Sequence, residues 1–219
     1  MISQPLTDSI SETHKTLIHN IIRNHAKVIK EKYANVPDWQ TTDSPLKYVD
    51  WALEDTINKS FLLAEYLSPK PGSVIYELGP GTGYLMYILR EIYGCRVFGC
   101  DKPDTPLYRD MHAALGIDTV EEWTIDHRGA RFFPYSSLLS CPYDYIIATQ
   151  ISFMDDWSPL DHLRFTNQCV SFLKIKGQLI LFPNPKAQHL FQDHNPYLRR
   201  TIRLPYLNQG YIYSISSIE

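Results

Sequence analysis

ELGPGTG, residues 77–83, is the stretch that decides how this chain folds. It holds three of the ten glycines in the 219 residues. The continuous apolar run SVIYEL (73–78) leads into it and is typical of a strand buried on both faces. The helical pattern TGYLMYILREIYG (82–94) follows it. Glycine tolerates positive φ and lets a ligand approach the backbone more closely than a Cβ permits. The sequence therefore predicts a strand, a ligand-binding glycine turn and a helix.

Strand and helix patterns alternate along the rest of the chain after residue 72. Further strands are predicted at RVFGCD (96–101), TVEEWTI (119–125), DYIIATQ (144–150) and QLILFPN (178–184). Two β-rich runs, 199–206 and 210–216, are joined by a hairpin signal. These patterns predict an α/β fold with a doubly wound, seven-stranded, mostly parallel sheet and a C-terminal antiparallel hairpin. Such a sheet binds ligands at the carboxyl ends of its strands.

The patterns before residue 69 are helical. Apolar residues recur at three- and four-residue steps between Leu17 and Ile29, which predicts an amphipathic helix. A second helical region is predicted from Pro45 to Leu67. We therefore divide the chain into an N-terminal helical cap, residues 1–68, and a ligand-binding core, residues 69–219.

Composition and charge restrict the function classes. Lys and Arg total 21 against 24 Asp and Glu, so a basic face for nucleic acid is not expected. No apolar run is long enough for a membrane span, and the first residues lack a secretion signal. The four cysteines, at 95, 100, 141 and 169, have no metal-ligand spacing. We expect a cytoplasmic protein with no nucleic-acid or membrane partner and no metal.

Asp101 ends the second predicted strand, 18 residues after Gly83. A carboxylate there can accept hydrogen bonds from the ribose hydroxyls of a nucleoside that lies over the turn. The dinucleotide fingerprint G-x-G-x-x-G requires a third glycine, but Tyr84 occupies that position. The sequence thus favours a nucleoside ligand other than a dinucleotide such as NAD.

The pattern acidic residue-x-G-x-G-x-G resembles motif I of the class I S-adenosylmethionine-dependent methyltransferases. Three further segments are similar to segments of that family, in the same order: PKPG (69–72), YDYII (143–147) and LKIKGQL (173–179). The last departs from the family pattern by an Ile in place of Pro and a Gln in place of the second Gly. ELGPGTG followed by FMDDW (153–157) is also similar to a poorly characterised group of bacterial members.

This resemblance covers residues 69–219 and implies a Rossmann-like methyltransferase core with S-adenosylmethionine as the cofactor. It also implies which residues bind that cofactor, by their positions in the motifs. They are Glu77, Gly79, Pro80, Gly81, Thr82, Gly83, Asp101, Lys102, Asp126, Thr149 and Gln150. Within this set, Glu77 would lie beneath the methionine moiety and Asp101 would hold the ribose. Asp126 would contact the adenine amino group, or it is a solvated loop residue.

The acceptor side of the reaction has less distinct candidates. A general base is needed only if the acceptor atom arrives protonated. Side chains near the carboxyl ends of the third and fourth strands are candidates for it, and solvated loops or helix starts are the alternative interpretation. They are His127, Asp155, Asp156 and His162. Trp39, Tyr48 and Trp51 are candidates for the wall of an acceptor pocket, or they anchor the helical cap to the core.

We therefore expect methyl transfer to a small-molecule acceptor, because no additional substrate-recognition domain or basic face is evident. An aminopropyltransferase-like enzyme is one alternative, with Asp155 and Asp156 as polyamine ligands. A protein or nucleic-acid methyltransferase and a non-catalytic nucleoside-binding module are the others. The acceptor, the methylated atom and the oligomeric state stay open.

Overall fold

A computed structural model describes residues 11–39, 41, 44–134, 142–191, 198–204, 207 and 209–214. The helices are α1 (Glu12–Tyr33), α2 (Leu53–Leu67), α3 (Tyr84–Tyr93), α4 (Pro106–Ala114) and α5 (Pro159–Ser171). The strands are β1 (Val74–Leu78), β2 (Arg96–Asp101), β3 (Val120–Glu122), β4 (Tyr143–Ile151), β5 (Leu173–Pro183), β6 (Leu198–Ile202) and β7 (Gly210–Ser214). Short 3₁₀ turns lie at Pro37–Trp39, Pro45–Val49 and Pro185–Phe191.

The seven strands form one sheet in the order β3-β2-β1-β4-β5-β7-β6. Strands β1 to β5 are parallel, and β7 runs antiparallel to both β5 and β6. The predicted doubly wound, mostly parallel sheet with its antiparallel hairpin is therefore confirmed. The strand order reverses between the parallel neighbours β1 and β4: β2 and β3 lie on one side, and β5 lies on the other. An open α/β sheet forms its ligand crevice at such a point.

The turn between β1 and α3 depends on glycine. Its three glycines, at 79, 81 and 83, have φ of 68°, 56° and 76°, a region that favours glycine. A Cβ on Gly83 would lie 2.8 Å from the His112 ring and 3.0 Å from Ile117. A side chain at this position would thus meet both backbone strain and a steric clash.

Three predicted elements have different bounds in the structure. Strand β3 ends at Glu122 because its neighbour β2 ends at Asp101, the residue that pairs with Glu122. Strand β5 begins at Leu173 because Leu173 pairs with Tyr143 at the start of β4. The helical region predicted from Pro45 to Leu67 is a 3₁₀ turn and a separate α-helix, which a turn at 50–52 divides.

The N-terminal helices share a hydrophobic core with the sheet. Helix α1 packs against α3 and α4, and it buries Ile18, Ile22, Ala26 and Ile29 in the same cluster as residues of both helices. The Tyr33 hydroxyl donates a hydrogen bond to the Asp110 carboxylate of α4 at 2.5 Å. Helix α2 packs against α3. The boundary at residue 68 stays a prediction. The described residues on its two sides contribute to one continuous hydrophobic cluster.

The opposite face of the sheet is covered by α5 and an aromatic cluster. Phe132, Phe133, Trp157 and Phe165 lie in contact there, with ring centroids 5.2–6.3 Å apart. Within the described ranges, none of the helices combines the length and the apolarity that a membrane crossing requires.

Candidate functional site

A cleft of about 500 Å³ opens at the carboxyl ends of β1, β2 and β4. We call it the main cleft. Its floor is the glycine turn, and the N-terminal region contributes one wall. The lining residues are Pro45, Tyr48, Thr56, Gly79, Pro80, Gly81, Thr82, Cys100, Asp101, Lys102, Thr105, Tyr108, Trp123, Thr124, Ile125, Thr149, Ser152 and Phe153. The charged members of this described lining are Asp101 and Lys102, so charge is confined to one end of the main cleft.

Asp101 is held against the glycine turn. The backbone N–H of Gly81 donates to its Oδ2 at 2.8 Å, and the N–H of Lys102 donates to its Oδ1 at 2.8 Å. Burial raises the pKa of Asp101 above its usual range, and these two hydrogen bonds oppose that rise. An ionised carboxylate has about four acceptor sites, so both oxygens can still accept hydrogen bonds from a ligand in the cleft.

A smaller cavity of about 60 Å³ adjoins the main cleft. We call it the inner cavity. It shares Thr56, Pro80, Thr82 and Thr149 with the main cleft, so the two spaces are contiguous. Its other lining residues are Lys59, Ser60, Leu63, Glu77, Tyr84, Leu85 and Leu207. A ligand in the main cleft can therefore extend one end into the inner cavity.

Glu77 is the buried acid of the inner cavity. Its side chain is 3% exposed, and its Oε2 has no hydrogen-bond partner among the described residues. Burial is the larger cause and the nearby charge of Asp101 the smaller one that together raise the pKa of Glu77 to about 8. A buried carboxyl without a partner is costly, and a cationic ligand group beside it would remove that cost. Glu77 thus fits the ammonium group of an amino acid.

Most of the residues that the resemblance implied for the cofactor lie together here. The members of that set that line one or both cavities are Glu77, Gly79, Pro80, Gly81, Thr82, Asp101, Lys102 and Thr149. Gly83 ends the turn as the N-cap of α3 and lines neither cavity. The backbone of Gln150 belongs to β4, but its side chain lies outside the described part of the structure. The individual roles of these residues stay predictions.

Asp126 does not line either cavity in the structure. Its carboxylate accepts hydrogen bonds from the Gly129 N–H at 3.0 Å and from the Arg131 guanidinium at 3.2 Å. These contacts lower the pKa of Asp126, with the Gly129 hydrogen bond as the largest cause. The residues just before Asp126, Trp123 to Ile125, line the main cleft instead.

The four candidates for a general base lie outside the described lining of both cavities. His162 is buried against Phe191, with ring centroids 4.5 Å apart, and burial lowers its pKa to about 4. His127 packs on Trp157, and its Nε2 lies 3.9 Å from a carboxylate oxygen of Asp156. Asp155 belongs to the same loop after β4. This placement does not support a general-base role for any of the four side chains.

The three aromatic candidates for an acceptor pocket separate in space. Tyr48 lines the main cleft, with its ring 6.4 Å from that of Tyr108. Trp39 stacks on Tyr33 at 4.7 Å and does not line the cleft. Trp51 is 68% exposed and also lies outside the lining. The structure therefore leaves Tyr48 as the aromatic wall from this group.

Sequence reasoning missed the contribution of α2. Thr56, Lys59, Ser60 and Leu63 line the inner cavity, and they are spaced at i, i+3, i+4 and i+7, which is one helix face. The available signal was a polar face on a helix that precedes a glycine turn. The same spacing is typical of a solvent-exposed face, so the sequence alone did not distinguish the two.

No family model and no curated protein matches the sequence. Among solved structures, the PH0226 protein from Pyrococcus horikoshii OT3 is similar, with a TM-score of 0.52 and 14% identity over 84% of this chain and 97% of that chain. MtNAS in complex with MTA and tNA has a TM-score of 0.51 and 12% identity over 94% of this chain and 75% of its own.

TrmN from Thermus thermophilus has a TM-score of 0.49 and 16% identity over 70% of this chain. The chain spans 46% of the length of TrmN and about three quarters of that of MtNAS. At identities this low, a structural likeness shows a shared fold and nothing further. Together with the strand order, the likeness to PH0226 and MtNAS shows that this chain shares their Rossmann-like α/β fold.

Proposed function

We propose that the protein binds S-adenosylmethionine and transfers its methyl group to a small-molecule acceptor. One observation carries this proposal: the glycine turn, Asp101 and Glu77, whose Oε2 has no hydrogen-bond partner among the described residues, line two contiguous cavities. Their chemistry matches a nucleoside at one end and an amino acid at the other. The enzyme activity and the acceptor class are both part of the proposal.

The main cleft fits the adenosine part of this cofactor. Asp101 can accept hydrogen bonds from the two ribose hydroxyls, while the glycines of the turn allow the ligand to lie close to the backbone. Tyr108, Trp123 and Ile125 supply apolar surface for the adenine ring. MtNAS, which has a similar fold, was crystallised in complex with MTA, and this supports a nucleoside in the cleft.

When bound, S-adenosylmethionine supplies a methyl group that its sulfonium already activates. The protein therefore has to align the acceptor and exclude water. Thr149 lies near the end of β4 and lines both cavities, and Ser152 follows the strand and lines the main cleft. Their hydroxyls can orient an acceptor. The acids and lysines of the described lining are Asp101, Lys102, Glu77 and Lys59, and the proposal places all four around the cofactor, which favours an acceptor atom that needs no additional base.

The walls of the cleft support a low-molecular-weight acceptor. Tyr48 and α2 cover one side, and Phe153 lines another. The formal charge of −3 gives no general attraction for nucleic acid. Asp155 and Asp156 lie outside the described lining, so the observation that favoured a polyamine-binding aminopropyltransferase is not supported. A non-catalytic nucleoside-binding module is the outcome to be separated by assay.

Calorimetric titration with S-adenosylhomocysteine and with NAD tests the cofactor. We expect S-adenosylhomocysteine to bind in the micromolar range, while NAD does not bind, because Tyr84 occupies the position of the third fingerprint glycine. Preferential binding of NAD would overturn the proposal.

Product analysis then tests the reaction. The protein is incubated with S-adenosylmethionine and pools of amines, thiols and phenols. Methyl transfer releases S-adenosylhomocysteine, whereas transfer of the cofactor's carbon chain releases methylthioadenosine. We expect the first product. Release of methylthioadenosine alone would indicate transfer of the aminocarboxypropyl chain. Its release only when decarboxylated S-adenosylmethionine replaces S-adenosylmethionine would favour the aminopropyltransferase-like alternative, and binding without turnover of any pool would favour the binding module.

A further inference from the structure

The inner cavity has two walls of different origin. Glu77 of β1 lies on one, and Thr56, Lys59 and Ser60 of α2 lie on the other. Helix α2 belongs to the N-terminal region, which the sequence indicated as a cap outside the ligand-binding core. The structure instead makes its polar face part of the lining that holds Glu77. This face therefore contacts whatever occupies the inner cavity.

The two walls carry ionisable groups of opposite kinds, a carboxyl and an ammonium. Glu77 provides a buried carboxyl whose Oε2 has no hydrogen-bond partner among the described residues. Lys59 provides an ammonium group, and its side chain is 19% exposed. Hydroxyls of Thr56, Ser60 and Thr82 lie in the same lining. The Thr56 and Ser60 hydroxyls donate to backbone carbonyls of α2, so their oxygens are left to accept a hydrogen bond from an ammonium. A carboxyl, an ammonium and these acceptors around about 60 Å³ complement a small zwitterion, which carries an ammonium and a carboxylate.

The present partner of Lys59 leaves it free to bind a ligand as well. Its Nζ lies 2.6 Å from Asp55 Oδ2 in an i, i+4 ion pair on α2. Asp55 is half exposed, and exposed ion pairs of this kind contribute little stability. An ammonium group has three N–H donors, so two remain for the cavity.

We propose that Lys59 binds the carboxylate of the cofactor's amino-acid end, while Glu77 faces its ammonium. The inference rests on the proposed function and extends it, because it makes the N-terminal region part of the cofactor site. The four residues shared by the two cavities allow one ligand to span both. Lys59 is thus a specificity residue that favours ligands with an intact amino-acid end.

The test compares two ligands that differ at this end. S-Adenosylhomocysteine carries the α-amino carboxylate, and methylthioadenosine lacks it. Lys59→Met removes the charge but keeps most of the apolar stem. We expect it to weaken S-adenosylhomocysteine binding by roughly 10- to 100-fold, the loss typical for a hydrogen bond between charged groups. Its affinity for methylthioadenosine should change by less than about twofold, within the small effect of a change away from the bound group.

Two variants are matched controls in the same titration. Lys59→Arg keeps a cation and should restore most of the S-adenosylhomocysteine affinity. Asp55→Asn removes the competing carboxylate while Lys59 stays in place, and it should bind S-adenosylhomocysteine at least as tightly as the unchanged protein. Decarboxylated S-adenosylmethionine provides a test that needs no substitution, because it lacks only the carboxylate. The unchanged protein should bind it roughly 10- to 100-fold more weakly than S-adenosylmethionine.

Equal weakening of both ligands by Lys59→Met would overturn the inference, since it would indicate a displaced α2. Unchanged affinity for S-adenosylhomocysteine would overturn it too and would leave the zwitterion site to a free amino acid. Failure of the proposed function has a separate signature, because the unchanged protein would then bind neither S-adenosylhomocysteine nor methylthioadenosine.

Discussion

The two walls of the inner cavity are built by different means. On the β1 side, the glycine turn and Glu77 are neighbours in the sequence, and the pairing of β1 with β2 brings Asp101 beside them. On the α2 side, Lys59 reaches the cavity only because α1 and α3 hold the helix in place. One wall is fixed by local backbone geometry and the other by tertiary packing. The two walls should therefore respond differently to substitution.

The largest effect should follow from removal of residues 1–40, because this removes α1. Helices α3 and α4 would lose the four apolar side chains that α1 buries against them, and their apolar surface would be exposed. We expect loss of soluble protein that unfolds cooperatively, as measured by size-exclusion chromatography and thermal circular dichroism. Val28→Ala is the control, since Val28 is exposed on α1. A soluble truncated protein that unfolds cooperatively would show that the second wall does not depend on α1.

The next effect concerns pH and Glu77. Its pKa is about 8 in the folded protein against 4.5 for the ordinary side chain, so the folded state holds a proton that the unfolded state releases between these values. Stability without ligand should therefore fall as pH rises from 6.5 to 8, with a limiting slope of about 1.4 kcal/mol per pH unit for one proton. Burial lowers the pKa of His112 and His162 to about 4, which affects stability below pH 6.5.

Denaturant titrations at several pH values between 6.5 and 8 measure this slope. Glu77→Gln keeps the shape of the side chain and has no proton to lose, so its profile should be flatter than that of the unchanged protein. Parallel profiles for the two proteins would contradict the assigned protonation of Glu77.

An effect of comparable size should follow from Asp101→Ala on the β1 side. Loss of hydrogen bonds to a charged acceptor corresponds to about 1.5–3 kcal/mol, or roughly 10- to 100-fold in S-adenosylhomocysteine affinity. The circular dichroism spectrum should stay native, because β2 and its pairing are retained. Asp104→Ala is the matched control, since Asp104 is an exposed acid on the same loop that pairs with Lys102. Equal affinities for the unchanged protein and Asp101→Ala would exclude the ribose role.

The smallest effect separates two aromatic residues that the sequence did not distinguish. Tyr48→Ala removes a ring from the main cleft and should weaken S-adenosylhomocysteine binding by roughly fivefold, in line with about 1 kcal/mol for such a contact. Trp51→Ala changes an exposed side chain and should alter affinity and stability by no more than about 0.5 kcal/mol. The same calorimetric titration measures both variants. A larger loss for Trp51→Ala would place the acceptor wall elsewhere.

The comparison of the two walls also explains what the sequence could predict. The apolar run of β1, the glycines after it and the acid that ends β2 are local signals. The strands and the turn were therefore predicted in the order in which they follow one another along the chain. The end of β3 was not, because it depends on where β2 stops pairing. The role of Lys59 was not found either, since periodicity does not distinguish a polar face that borders a cavity from one that borders water.

The strand order has a consequence for synthesis on the ribosome. Strand β7 lies between β5 and β6, although it follows both in the chain. The outer edge of β5 therefore stays unpaired until Gly210 and the residues after it emerge, 27 residues after Pro183. At about 5–20 residues per second, translation leaves this apolar edge open for some seconds. Unpaired edges recruit other strands, so the yield of native protein should depend on translation speed and on chaperones that cover the nascent chain.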